Sequence, residues 1–132
     1  MIYLDSSALV KLAHVEPESL QLEEWLAGCR SQRRVASTLV EVEVPRALRR
    51  RTPDIVLRTA AVLSNVDLLD IDSGIRAAAA AFPDPMLRSL DAIHLATALR
   101  FRAELSAVVS YDRRLLDAAT AVGLPAVSPG LQ

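Results

Sequence analysis

Short apolar stretches of strand character alternate along this chain with segments of helical spacing, each about 10–15 residues long. The stretches with strand character are IYLD, RRVAS, VDLLDID, AVVSYD and PAV. Parallel strands cannot be joined by tight hairpins, and helices are the usual crossover connections between them. The alternation therefore predicts an α/β fold in which a parallel sheet is covered by helices on both faces.

The region between the second and third of these strands is predicted to form two helices, 37–51 and 54–65, separated by Pro53. The alternation VEVEV within the first of them is also typical of a strand, so its local pattern leaves both structures open. Farther along, SLDAIHLATALRFR is apolar on nearly all faces. That pattern predicts a buried helix.

Length and composition limit the class of protein. A chain of 132 residues that is 52% hydrophobic and 23% charged is predicted to form one domain over 1–132. Its apolar runs fall short of the roughly 18 residues that a membrane-spanning helix needs. We find no export signal in the sequence, and Cys29 is its single cysteine. We therefore expect a cytoplasmic protein without disulfides.

Acidic residues stand where predicted strands end and helices begin. Asp5 and Asp112 each follow a strand, and Asp91 lies at the start of the buried helix. The carboxyl ends of parallel strands meet at one edge, which Glu43 on the helix after the second strand can also reach. Each acid alone can be explained as a helix-capping or helix-start residue, or as a solvated charge. Four converging carboxylates would instead repel one another, and a divalent cation is the usual remedy.

Four segments at these spacings resemble one known family. The segments are LDSSALV, VEVPRAL, LDAIHLATAL and VVSYDRRLLDAATAVGLPAVSPG. They resemble the PIN-domain ribonucleases, in particular the VapC-like toxins of bacterial toxin–antitoxin pairs. The resemblance implies a three-layer α/β/α domain with a five-stranded parallel sheet in the order 3-2-1-4-5.

The resemblance also implies an activity and the residues that carry it. In this family an acidic quartet binds Mg²⁺ or Mn²⁺ and hydrolyses RNA, and the matching residues here are Asp5, Glu43, Asp91 and Asp112. Ser6 matches a small hydroxyl residue that helps to shape the site. The alternative is a catalytically degenerate PIN fold that binds RNA or a protein partner without cutting.

Two positions depart from the family's pattern. Pro45 follows Glu43 by two residues, and a proline inside a helix costs about 3 kcal/mol. Glu41 is therefore a rival for the site, although residues two apart on a helix point about 200° away from each other and only one can face it. Arg114 stands where some PIN nucleases carry a further acid, so a second metal is expected to bind only weakly or with RNA present.

Partners follow from the resemblance and from the basic residues. The net charge of −1 includes 15 basic residues, all but one of them arginine, whose planar fork matches phosphate. Arg49, Arg50 and Arg51 are either a solvated helix face or phosphate contacts beside a nuclease site.

The family implies an RNA substrate, a cognate antitoxin protein and a homodimer. A candidate contact surface consists of Leu20, Leu22, Trp25 and Leu26, which are alternatively core residues.

His94 lies three residues after Asp91, on roughly the same face of the buried helix. Hydrolysis by metal-activated water needs no histidine base. We therefore interpret His94 as a packed residue with a hydrogen-bond partner nearby, in preference to a catalytic base.

Overall fold

The computed structural model of the chain describes residues 1–131, in which five strands alternate with seven helices. The strands are β1 (Ile2–Leu4), β2 (Arg34–Ser37), β3 (Asp67–Leu69), β4 (Ala107–Val109) and β5 (Ala126–Val127). The helices are α1 (Ser6–Ala13), α2 (Ser19–Ala27), α3 (Val40–Leu48), α4 (Ile55–Leu63), α5 (Ser73–Ala80), α6 (Ser89–Arg100) and α7 (Arg113–Ala121). In the part of the chain described, no helix has the length and apolar character to cross a membrane. The domain predicted over 1–132 includes Gln132, which lies outside the described residues.

All strand pairs are parallel, and the order is β3-β2-β1-β4-β5. This confirms the predicted α/β fold and its 3-2-1-4-5 sheet. Ile2 pairs with Arg34 on one side and with Ala107 on the other, so β1 is the central strand. The carboxyl ends of β1 and β4 lie side by side, because the Asp5 N–H donates to the Val109 carbonyl at 3.2 Å.

Hydrophobic cores lie on both faces of the sheet, because alternate side chains of a strand point to opposite faces. Ile2 and Leu4 pack in one core with residues of α1, α2 and α3. Tyr3 packs in the other with Val108 and with residues of α6 and α7. The central strand is therefore covered by helices on both sides, as a three-layer arrangement requires.

Helix α3 is shorter than the predicted 37–51, and the strand alternative for VEVEV is wrong. Val40, Val44 and Leu48 are all fully buried, and their spacing of four residues places them on one face of a helix. The chain enters this helix late because the Thr38 N–H still donates to the Leu69 carbonyl in the sheet. Pro45 lies inside α3, so burial of the apolar face offsets the hydrogen bond that a proline removes.

The apolar residues of α2 divide between core and surface. Leu22 and Leu26 are buried in the core, so they cannot form the partner surface predicted from the sequence. Trp25 is partly buried against the same core, whereas Leu20 is 62% exposed. Only one of the four residues is thus well placed for contact with another molecule.

Candidate active site

Asp5 directly follows the central strand and begins α1. Its Oδ1 accepts hydrogen bonds from the Ala8 N–H at 3.0 Å and from the Ser7 hydroxyl at 2.6 Å. Its Oδ2 accepts one from the Ser110 hydroxyl at 2.5 Å. Asp5 therefore caps α1, as the simpler explanation of its position predicts, and it is also fixed in place at the sheet edge.

The Asp5 carboxylate is 3% exposed. Burial raises the pKa of Asp5, although nearby His94 and the hydrogen bonds from Ser110, Ser7 and Ala8 act in the opposite direction. A positive charge placed beside this buried carboxylate would stabilise its ionised form.

Asp91 lies in the first turn of α6 and is 9% exposed. Its Oδ2 atom is buried and has no hydrogen-bond partner within residues 1–131. Burial raises the pKa of Asp91 most, and the negative charges of Asp112 and Asp5 raise it further. The structure therefore brings these three acids into electrostatic contact, and one of their oxygens has no donor in the described part of the chain.

Asp112 is the N-cap of α7, where its Oδ1 accepts from the Arg114 N–H at 2.9 Å. Ser110 connects it to Asp5, because the Ser110 hydroxyl donates to Asp5 and accepts from the Asp112 N–H at 3.0 Å. The sequence interpretation missed Ser110 and Ser7. The signal available for them was a hydroxyl residue two positions from each strand-end acid.

Glu43 is the acid of α3 that faces this edge. Its Oε1 lies 2.6 Å from Nε2 of His94, and its side chain is 20% exposed. Glu41 is exposed to solvent, so Pro45 has not shifted the register that favours Glu43. The catalytic role of Glu43 stays a prediction.

His94 is buried, and its Nδ1 lies 2.6 Å from the hydroxyl of Tyr3. Burial lowers the pKa of His94, but the hydrogen bond and charge of Glu43, with the charges of Asp5 and Asp91, raise it above its ordinary value overall. The interpretation of His94 as a packed residue with hydrogen-bond partners agrees with this position.

The chemistry of the acid quartet fits a hard cation, but its oxygens do not form one coordination sphere in this structure. No three Asp, Glu, His or Cys side chains of the described chain stand in an arrangement that could hold a metal ion. Hydrogen bonds instead direct Asp5 toward two serines and Glu43 toward His94. All four ligands would nevertheless be carboxylates, which Mg²⁺ and Mn²⁺ prefer, and the buried Asp91 Oδ2 has no partner among the described residues, a partner that a cation would supply.

A cleft of about 350 Å³ is lined by Ser6 and Ser7, which directly follow Asp5, together with Tyr111 and Arg51, and none of the four acids is among its described lining residues. Ser6, predicted to help shape the site, lines this cleft, and its neighbour Ser7 hydrogen-bonds to Asp5. Arg51 reaches this cleft with its Nη1 held 2.8 Å from Glu16 Oε2.

The other two arginines of the predicted cluster, Arg49 and Arg50, are exposed just beyond α3. They are open to solvent, whereas Arg51 lines the cleft that also contains Ser6 and Ser7. The structure thus separates the cluster into two surface residues and one cleft residue.

Comparison with known proteins agrees with the fold. Residues 2–121 match the PIN-domain family. Ribonuclease VapC35 of Mycobacterium tuberculosis is 49% identical over 132 residues, which cover 98% of each chain. The crystal structure of VapC20 from M. tuberculosis, described as a sarcin–ricin loop cleaving toxin, superposes with a TM-score of 0.74 at 18% identity, over 98% of this chain and 100% of that one. A toxin–antitoxin complex from Klebsiella pneumoniae superposes with a TM-score of 0.71 at 21% identity, over 98% of both chains. The chain belongs to the PIN-domain family and, within it, to the VapC proteins.

Proposed function

We propose that this protein is a Mg²⁺- or Mn²⁺-dependent endoribonuclease and the toxin of a toxin–antitoxin pair. The observation that carries the proposal is the convergence of Asp5, Asp91 and Asp112 at one sheet edge, with a buried Asp91 oxygen that lacks a hydrogen-bond partner among the described residues. The name of the relative VapC35 as a ribonuclease supports the activity. The toxin–antitoxin complex from K. pneumoniae supports a protein partner.

Asp5, Glu43, Asp91 and Asp112 would hold the ion. When bound, a divalent ion supplies a nucleophilic water at neutral pH and stabilises charge on the leaving oxygen. The protein's part is to place the ligands: Ser110 and Ser7 orient Asp5, and His94 engages Glu43.

The surface around the acids suits a phosphate backbone. Arg49 and Arg50 are exposed near α3, and Arg51 lines the cleft beside Ser6. Arginines contact phosphates without reading sequence, so they would hold RNA across the cleft and leave the choice of target to other contacts. Binding RNA also requires that Arg51 exchange its ion pair with Glu16 for a phosphate.

Assembly with an antitoxin and with a second copy forms part of the proposal. Leu20 on α2 and Val56 and Leu57 on α4 are 62%, 84% and 73% exposed. Exposed apolar side chains of this size are typical of surfaces that contact other proteins.

The degenerate PIN fold remains the second candidate, because the quartet does not form a coordination sphere among residues 1–131. The deciding experiment uses the purified protein, freed of antitoxin, with a structured RNA in Mg²⁺ or Mn²⁺ and then in EDTA. We expect cleavage that EDTA stops and that Asp91→Asn abolishes. Asp117→Asn is the matched control, since Asp117 is an exposed residue of α7. Cleavage that survives chelation would exclude the metal mechanism, and no cleavage at all would favour the degenerate fold.

A further inference from the structure

A buried hydrogen-bonded chain runs from the central strand to the acidic edge. Tyr3 of β1 and His94 of α6 are 1% and 2% exposed. The Tyr3 hydroxyl lies 2.6 Å from Nδ1 of His94, and Nε2 of the same ring lies 2.6 Å from Oε1 of Glu43. The two rings also contact edge to face, with centroids 5.9 Å apart. This series of hydrogen bonds ends at the carboxylate of Glu43, which is a metal ligand in the proposed function.

The direction of the hydrogen bonds follows from the chemistry of the two rings. A phenol has an ordinary pKa of about 10, so the Tyr3 hydroxyl keeps its proton at neutral pH. A phenol that donates to Nδ1 of a neutral imidazole leaves the ring proton on Nε2, which donates to Glu43. In the imidazolium form Nε2 also carries a proton. Glu43 Oε1 therefore accepts from His94 in either protonation state.

Glu43 needs such support more than Asp5 and Asp112 do. Asp5 and Asp112 are short side chains fixed by helix capping at strand ends. Glu43 is longer, with more torsions to order, and it lies on a helix that contains Pro45. Without a donor beside it, its carboxylate would gain access to solvent-facing conformations.

We propose that His94 and Tyr3 are positioning residues that hold the carboxylate of Glu43 at the acidic edge. The proposal rests on the proposed function where it concerns metal binding, because Glu43 is a metal ligand only there. Groups that orient a metal ligand contribute about 10–100-fold to metal affinity or activity. A purely structural role for the buried pair would instead affect stability alone.

The first test measures Mn²⁺ affinity by titration calorimetry and RNA cleavage on the full chain. We expect His94→Leu, which removes the donor to Glu43, to weaken Mn²⁺ binding about 10–100-fold and to reduce cleavage. His94→Gln, whose amide can donate to the same oxygen, should recover most of the loss. The matched control is Thr97→Val, since Thr97 is fully buried one turn along α6 and bonds only to the Ile93 carbonyl among the described residues.

Each outcome separates the two proposals. His94→Leu with wild-type Mn²⁺ affinity, or Thr97→Val with an equal loss, would overturn the positioning role and leave the nuclease proposal standing. Wild-type protein that neither binds Mn²⁺ nor cuts RNA would overturn the nuclease proposal.

A second measurement then decides the positioning role independently of metal. In ¹⁵N NMR spectra of the full chain without metal, we expect a proton on His94 Nε2 whose resonance moves in Glu43→Gln and stays in Glu41→Gln. Tyr3→Phe should keep the proton on Nε2, because Glu43 still accepts it, and should move the Nδ1 resonance that the phenol contacts. A His94 signal indifferent to Glu43→Gln would mean that the hydrogen bond is absent and the positioning role is wrong.

Discussion

Replacing Asp91 by asparagine tests the electrostatics of the acidic edge in the absence of metal. The Asp91 Oδ2 atom is buried without a partner among residues 1–131, and Asp112 and Asp5 place negative charge nearby. A buried group left unsatisfied costs about 1–3 kcal/mol. Asparagine is still polar and has nearly the same shape, but it removes the buried charge and its repulsion with Asp112 and Asp5, so we expect the free energy of unfolding in EDTA at neutral pH to rise by about 1–2 kcal/mol. That gain corresponds to about 4 °C in melting temperature for each kcal/mol.

The gain should depend on pH in a defined direction. Because the pKa of Asp91 is raised in the folded protein, the folded state holds its proton at a pH where the unfolded chain has lost it. Below the ordinary aspartate pKa of about 3.9 both states are protonated, and the charge then contributes no difference between wild type and variant. As the pH rises from there through the raised pKa, the wild type loses stability relative to Asp91→Asn, and above it the difference stays constant.

Metal should reverse the order of the two proteins. A ligand at 100 times its dissociation constant stabilises the folded state by about 2.7 kcal/mol, and only the wild type would keep all four of the proposed metal ligands. Urea denaturation with EDTA or Mn²⁺ measures both effects, and Asp117→Asn on the exposed face of α7 should stay within about 0.5 kcal/mol of wild type in both. If Asp91→Asn were less stable than wild type in EDTA at neutral pH, Asp91 would have a stabilising partner and the argument would fail.

Four further predictions concern neighbouring residues. Glu43→Gln should abolish RNA cleavage with little change in melting temperature, because the amide oxygen can still accept from His94, whereas exposed Glu41→Gln should cleave like wild type; the reverse pattern would transfer the role to Glu41. Asp5→Asn should stay folded by circular dichroism and lose cleavage, and full activity would reduce Asp5 to a helix cap. Arg50→Ala should weaken RNA binding in filter assays and lower its salt dependence by about one phosphate contact; an unchanged slope would place RNA elsewhere. Leu20→Asp should yield monomers by light scattering if α2 forms the homodimer contact, and an unchanged dimer would exclude that surface.

The sheet was predictable because its signals are local. IYL, RVAS and AVV are short apolar runs bounded by polar residues, and their alternation with helices allows few topologies. The ends of α3 were not predictable in the same way. Residues 37 and 38 belong to the sheet because of pairing with β3, a contact across some thirty residues that no local pattern records.

The same distinction between local signals and long-range contacts decides which parts of the site were predictable. Strand ends and helix starts position Asp5, Asp91 and Asp112, so their convergence follows from topology. The contact of Tyr3 with His94 joins residues 91 positions apart. Periodicity assigns each of them to a face but does not determine which side chains on facing elements touch.

The hydrogen bonds also indicate where a cation would gain most. Asp5 and Asp112 each accept a backbone N–H at the start of a helix, where the helix dipole also favours negative charge. Glu43 has His94 as its donor. Asp91 lies in the first turn of α6, yet its Oδ2 accepts no hydrogen bond in the described chain. Asp91 is therefore the acid of the quartet whose negative charge is least compensated by hydrogen bonds. A divalent ion bound at this edge would compensate that charge without breaking an existing hydrogen bond to Oδ2.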